Sequence, residues 1–151
     1  MHKHIAVLAG DGIGPEITDQ GLKVLEAVAK KYGHSFHCQH APFGAGAYFA
    51  HGASFPEQTR LVCDEADAII KGPVGLSVSH MQRIPLAERP EKAAILPLRE
   101  RYDTFANFRP IVLPPPLSCF SPLKREVVGR GIDIMMIPVS YTHLRAHETV
   151  L

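Results

Sequence analysis

The sequence predicts an α/β fold built on a layered, mainly parallel sheet. Short apolar runs typical of buried strands alternate along the chain with segments whose apolar residues recur at helical spacing. Turns rich in glycine or proline separate these segments, as at residues 10–14 and 72–75. With 151 residues, of which 46% are hydrophobic and 21% charged, the chain is long enough to bury one sizeable core.

The first strand and the first helix follow from the opening residues. The apolar run at residues 4–9 predicts a buried strand that ends at the glycine-rich loop. Pro15 suits the first turn of the next helix, Glu16 suits its positive end, and Gly33 stops it. We expect one apolar face of this helix to pack on the sheet, formed by Ile17, Gly21, Val24, Leu25 and Val28.

Two more strands and a helix are predicted before the second glycine-containing turn. Residues 35–40 and 68–71 have strand character. Between them, Ser54 and Glu57 have the spacing of a capping box, which predicts a helix that runs through Glu65.

The second half of the chain predicts a loop followed by two strands. Residues 76–90 are polar and punctuated by proline, which is typical of a loop over a cleft. Residues 108–113 predict a strand that the prolines at 114–116 end, because proline cannot continue a central ladder. A short helical turn opens at residues 121–124, and residues 132–137 predict a further buried strand.

The last residues depart from this alternation. Residues 138–151 contain His143, Arg145, His147 and Glu148 but no apolar period that would support another element. We therefore expect an incomplete α/β domain over residues 1–137 and a non-native, unstructured tail over residues 138–151.

Composition favours a small-molecule partner over a nucleic acid or a membrane. The formal net charge is +1 and the cationic residues are dispersed, so no basic tract is present for a polyanion. No apolar stretch has the length of a signal peptide or a membrane span. Cys38, Cys63 and Cys119 are odd in number and widely spaced, which is typical of reduced thiols in a cytoplasmic protein.

Two motifs invite a functional interpretation and are weak by themselves. The loop at residues 10–14 lies where a phosphate-binding loop would lie, but its spacing is G-x-G-x-G and a Rossmann fingerprint requires G-x-G-x-x-G. A tight βα turn beside a ligand cleft is the better interpretation. His34, His37 and His40 with Cys38 could form a metal site, but a solvated strand face is favoured.

Two arginines beside an aliphatic block form the most informative segment. Arg99 and Arg109 can each grip a carboxylate bidentately, and Ile95, Leu96 and Leu98 offer apolar surface. This combination suits a ligand with carboxylates at one end and a hydrocarbon group at the other, as in an alkyl-substituted malate. Surface ion pairs for the arginines and core packing for the aliphatic residues are the alternatives, and spacing alone leaves the arginines open.

Several short motifs occur in the order in which one enzyme family carries them. These are Gly10-Asp11-Gly12-Ile13-Gly14-Pro15-Glu16, Phe43-Gly44, Phe55-Pro56-Glu57, Leu98-Arg99, Phe105-Ala106-Asn107-Phe108-Arg109-Pro110 and Ser121-Pro122-Leu123-Lys124. Over residues 1–137 the chain closely resembles the N-terminal part of the 3-isopropylmalate dehydrogenase family, whose sheet is not a Rossmann fold.

The resemblance implies NAD-dependent oxidation of 3-isopropylmalate followed by decarboxylation, in leucine biosynthesis. It implies that Arg99 and Arg109 clamp the carboxylates and that Ile95 and Leu96 receive the isopropyl group. It also implies Mg²⁺ or Mn²⁺ and a homodimeric parent enzyme. The residues it places near the nicotinamide are Ile13, Gly72, Pro73, Val74 and Gly75.

Two departures from the family accompany the resemblance. The family carries a glutamate shortly before the apolar pocket residue, and here Glu91 and Lys92 both compete for that position. Pro138 stands where the family continues with a third substrate arginine, so we expect a truncated, inactive fragment whose catalytic and metal-binding residues lie beyond residue 137. Tartrate, homoisocitrate and isocitrate dehydrogenases of the same superfamily, or a non-catalytic α/β binding module, are the alternative functions.

Overall fold

The first strand lies at the centre of a parallel sheet. In the computed structural model, which describes residues 1–104, 106–129 and 131–137, β1 (His2–Leu8) lies between β2 (Ser35–His40) and β3 (Ala68–Lys71). Both neighbours run parallel to β1. The second half of β1 is fully covered, because a strand between two parallel neighbours under helices meets no solvent. The three strands predicted before residue 72 are confirmed.

Helix α1 (Gly14–Tyr32) starts directly after the glycine-rich loop and ends at Gly33, as predicted. The predicted packing face, however, is wrong. Gly14 and Thr18 are buried instead, and a Cβ added at Gly72 would lie 2.8 Å from Thr18 Oγ1. This close approach favours small residues toward the sheet and turns larger ones outward. Leu25 is half-buried, and the rest of the predicted face is exposed: Ile17, Gly21, Val24 and Val28.

Two helices lie between β2 and β3. Helix α2 (Ala45–His51) was not predicted, and helix α3 (Glu57–Asp64) was. The predicted capping box is wrong because Pro56, not Ser54, precedes the first turn of α3. Ser54 is 1% exposed, and its hydroxyl donates to the Glu88 carbonyl oxygen at 2.7 Å. This hydrogen bond therefore holds the predicted loop, residues 76–90, against the segment that precedes α3.

The segment after β3 contains more helix than its sequence predicts. Helix α4 (Val78–Met81) is a single turn, and a π-helical turn (Glu91–Ile95) leads without a break into α5 (Leu96–Arg101). Ile84 anchors the intervening loop in the core. The predicted loop at residues 76–90 thus contains the helical turn α4, and the π-helical turn and α5 follow it.

The chain divides into two compact units, Met1–Arg101 and Tyr102–Leu151. In the second, β4 (Arg109–Leu113) pairs with β5 (Ile132–Met136). A 3₁₀ helix (Pro115–Phe120) and α6 (Arg125–Val128) lie between these strands in the sequence.

Both strands of the second unit are where they were predicted, and they pair antiparallel as a two-stranded sheet of their own. The expectation that the second of these strands is buried is wrong. Residues Ile134, Met135 and Met136 of β5 are about half exposed, because a two-stranded sheet cannot cover both of its own faces. The predicted tail, residues 138–151, lies outside the described residues.

Burial makes a specific prediction for the thiols. Cys63 on α3 is 2% exposed, and burial, followed by the adjacent Asp64 carboxylate, raises the pKa of its thiol to about 11. At pH 8 the reactive thiolate is then about a thousandth of the Cys63 population. We expect Ellman's reagent to label exposed Cys119 rapidly and Cys63 only in urea, as mass spectrometry of the labelled peptides would report. Equal labelling of both thiols without urea would contradict the packing of α3.

Candidate functional site

The two loops that the sequence analysis assigned to the cofactor lie side by side. Because β1 and β3 are parallel neighbours, residues 9–13 and 72–75 leave the same edge of the sheet, where α/β proteins bind ligands. The Asp11 amide donates to the Pro73 carbonyl oxygen at 2.9 Å, and the Gly72 amide donates to the Leu8 carbonyl oxygen at 2.8 Å. These two hydrogen bonds close the loops onto each other.

All five predicted cofactor residues belong to this pair of loops. Ile13 precedes α1 and is 62% exposed, Gly72 is buried, Pro73 is exposed, and Val74 and Gly75 are half-buried. A Cβ at Gly12, next to Ile13, would lie 3.7 Å from the Gly75 carbonyl oxygen. The structure therefore brings Ile13 and residues 72–75 together. The exposed side chain of Ile13 lies near the glycine backbone of Gly12 and Gly75.

Asp11 is the centre of the hydrogen-bond network behind these loops. Its carboxylate is 5% exposed and accepts three backbone N–H groups. Oδ2 accepts from Ala45 at 2.7 Å and from Gly75 at 2.8 Å, and Oδ1 accepts from Gly46 at 2.7 Å. Sequence reasoning gave Asp11 no role beyond its place in a family motif, because the donors are main-chain groups that no side-chain pattern reveals.

Two glycines make room for this arrangement. Gly10 has a φ of 78°, and a Cβ there would run into the Pro73 carbonyl group. Gly44 has a φ of 96°, and a Cβ there would run into the Asp11 carboxylate. Both positions need a left-handed backbone and have no space for a side chain, so each admits only glycine without strain.

The predicted substrate residues of the first unit follow the same loops. Glu91 starts the π-helical turn, and its Oε1 lies 3.9 Å from the position that a Cβ at Gly75 would take. Of the two residues that compete for the family glutamate position, Glu91 is thus the one seen beside the loop at residues 72–75. Ile95 is half-buried and Leu96 is 43% exposed, so both retain apolar surface outside the core.

A cationic pair adds to this part of the site. Arg99 lies on α5 and is exposed. Lys71 ends β3, and its Nζ donates to the Gly72 carbonyl oxygen at 2.8 Å. Burial and then the Arg99 guanidinium lower the pKa of Lys71. Sequence reasoning missed Lys71, whose only signal was a charged residue at the end of a short apolar strand.

Arg109 belongs to the second unit and starts β4, within the strand predicted at residues 108–113. Its side chain is exposed. With the amide of Asn107 oriented to satisfy both groups, the Asn107 oxygen accepts from Arg109 Nε and Nη2, each at 3.2 Å. This contact orients the planar guanidinium through two of its N–H groups. Asn107 is therefore a second residue whose contribution sequence reasoning did not identify.

Comparison with known proteins finds relatives that cover most of this chain. A 3-isopropylmalate dehydrogenase from Desulfotalea psychrophila is 47% identical over 135 residues, which are 89% of this chain and 37% of that protein. One from Symbiobacterium thermophilum is 47% identical over 134 residues, 89% of this chain and 36% of that protein. The chain thus spans a little over a third of the length of these curated relatives.

Solved structures share the fold at lower identity. A β-decarboxylating dehydrogenase from Thermococcus kodakarensis superposes with a TM-score of 0.62 at 22% identity, over 91% of this chain and 34% of that chain. Isocitrate dehydrogenase from Methylococcus capsulatus superposes with a TM-score of 0.65 at 24% identity, over 92% of this chain and 34% of that chain. The family model described as isocitrate/isopropylmalate dehydrogenase matches residues 4–139. This chain belongs to the isocitrate/isopropylmalate dehydrogenase family.

Proposed function

We propose that the chain is part of an NAD-dependent enzyme that oxidises and decarboxylates 3-isopropylmalate in leucine biosynthesis. The observation that carries this proposal is the set of curated relatives named 3-isopropylmalate dehydrogenase, which are 39–47% identical over 88–89% of the chain. NAD, when bound, accepts the hydride from the substrate hydroxyl carbon. The described residues bind and orient the two ligands.

The proposed roles follow the local geometry. Ile13 and residues 72–75 would receive the nicotinamide ring, since a flat ring fits against exposed apolar surface and glycine backbone. The family resemblance, rather than a geometry across the two units, supports a carboxylate-binding role for each of Arg99 and Arg109, and within the second unit Asn107 would hold the plane of Arg109. Ile95 and Leu96 would contact the isopropyl group.

A divalent metal is expected from the family, as Mg²⁺ or Mn²⁺. In the part of the chain that the structure describes, no group of three or more His, Cys, Asp or Glu side chains is arranged to hold a metal ion. The described residues therefore do not fit this group, and we assign it no ligand among them.

Two further properties are proposed with the activity. The family resemblance supports a homodimeric parent enzyme. The three free thiols support a cytoplasmic location. Among the described helices, none has both the length and the apolar character that a membrane crossing requires.

The proposed substrate can be tested in an extended protein that joins residues 1–137 to the remainder of the Desulfotalea psychrophila relative. We expect this protein to prefer 3-isopropylmalate over isocitrate and tartrate by about tenfold or more in kcat/KM, because an apolar wall rejects a polar substituent. The Ile95→Ser variant should lower the ratio of kcat/KM for 3-isopropylmalate to kcat/KM for isocitrate or tartrate. NADH formation with each substrate is the measurement.

Leu61→Ser is the matched control, because Leu61 is an exposed aliphatic residue on α3, away from the loops. It should leave the substrate preference unchanged. A preference of the unsubstituted extended protein for isocitrate or tartrate would overturn the proposed substrate.

A further inference from the structure

The Asp11 carboxylate joins three segments that are far apart in the sequence. Its partners Ala45, Gly46 and Gly75 are 34, 35 and 64 positions away. Two of them open α2, and the third lies in the loop after β3.

Burial makes this contact specific for a carboxylate. An almost fully covered carboxylate is costly unless its oxygens accept several hydrogen bonds, and here three N–H groups point at them. Asparagine has the same shape, but its NH₂ group would face one or more N–H donors. Glutamate is longer and would have to enter the space next to Gly44, where even a Cβ does not fit beside the existing carboxylate.

The contact with Gly75 has a consequence for the cofactor loop. Gly75 has a φ of 112° and lies outside any strand or helix, so no backbone ladder fixes its position. Two hydrogen bonds join Asp11 to this loop: its N–H donates to the Pro73 carbonyl oxygen, and its carboxylate accepts from the Gly75 N–H. Together they fix residues 73–75 relative to Ile13, two positions after Asp11.

We propose that Asp11 is a positioning residue that holds the nicotinamide-facing loop in its binding geometry before NAD arrives. This rests on the proposed function, since NAD is the ligand assigned to the loop. Asp11 itself touches neither substrate nor cofactor, because it is buried behind the loop. Its loss should therefore weaken NAD binding more than 3-isopropylmalate binding.

The test uses Asp11→Asn in the extended protein, with Thr59→Val as the matched control. Thr59 is 0% exposed, and its hydroxyl donates to the Pro42 carbonyl oxygen at 2.7 Å, so Thr59→Val also removes a buried hydrogen bond in this unit. We expect Asp11→Asn to raise the KM for NAD about tenfold, the equivalent of one hydrogen bond to a charged group. The KM for 3-isopropylmalate should change much less.

Thr59→Val should lower the melting temperature and leave both KM values unchanged. An unchanged KM for NAD in Asp11→Asn, or an equal rise in Thr59→Val, would overturn the positioning role. If Asp11→Asn does not fold, Gly46→Ala disturbs the same contact more mildly, since its Cβ would lie 3.3 Å from Asp11 Oδ1. Gly46→Ala should also raise the KM for NAD more than the KM for 3-isopropylmalate.

A second readout separates this proposal from the proposed function. In the 151-residue chain, amide hydrogen exchange at Gly75 should accelerate in Asp11→Asn relative to Val7 in β1. Unchanged exchange at Gly75 would refute the positioning role whatever the activity. An extended wild-type protein that does not oxidise 3-isopropylmalate with NAD would instead refute the proposed function.

Discussion

The Gly10→Ala variant is expected to lose about 2–5 kcal/mol of unfolding free energy, from a left-handed backbone penalty and an overpacked contact. Gly10 has a φ of 78°, which an alanine adopts only with strain. The new Cβ would also run into the Pro73 carbonyl oxygen and lie 2.9 Å from its carbon. These are backbone atoms of the paired loop, so neither can rotate away. Urea unfolding followed by circular dichroism measures the loss.

Gly52→Ala provides the matched control. Gly52 has a φ of 76°, nearly that of Gly10, but a Cβ there would have no heavy atom within 4 Å. This variant should therefore show the backbone penalty alone, about 1–2 kcal/mol. Equal losses in the two variants would mean that the loops at residues 10 and 73 are not in the contact described.

Arg109→Lys is the second variant with a large expected effect. In the extended protein we expect kcat/KM for 3-isopropylmalate to fall roughly 10- to 150-fold, or about 1.5–3 kcal/mol of transition-state stabilisation, the scale of a charged hydrogen bond. Lysine keeps the charge but loses the planar fork, and it also loses the two contacts that Asn107 makes with the guanidinium. Steady-state kinetics at saturating NAD gives the value.

Arg60→Lys is the control for that substitution. Arg60 forms an exposed pair with Glu57 at 3.7 Å on α3, and such pairs contribute little. Its kinetics should match those of the unsubstituted protein. If Arg109→Lys also left kcat/KM unchanged, Arg109 would be interpreted as a surface ion-pairing residue rather than a substrate ligand.

The elements that end at glycine- or proline-containing turns could be predicted from the sequence. Helix α1 lies between glycine-containing segments, and β1 and β3 each end at a glycine-containing turn, so local signals leave little choice of structure. The strand that begins near Arg109 was predicted because the prolines at 114–116 end its apolar run. Local signals were sufficient there because they agree with the tertiary packing.

The remainder depended on contacts between distant segments. Helix α2 is short and glycine-containing, and it is fixed by the Asp11 carboxylate rather than by its own propensity. The buried face of α1 is set by the approach of Gly72 to Thr18, not by the largest apolar residues. The antiparallel pairing of β4 and β5 depends on a partner strand, which an apolar run does not specify.

The internal carboxylate behind the glycine-rich loop also fixes the electrostatic character of this edge of the sheet. A phosphate-binding loop leaves its amide protons open to an incoming anion, whereas here those of Ala45, Gly46 and Gly75 already face the negative charge of Asp11. A diphosphate approaching these loops would therefore meet repulsion and find these three donors occupied. If NAD binds here as proposed, the positively charged oxidised nicotinamide ring is the part of the dinucleotide that this carboxylate favours, and the anionic diphosphate would be directed elsewhere.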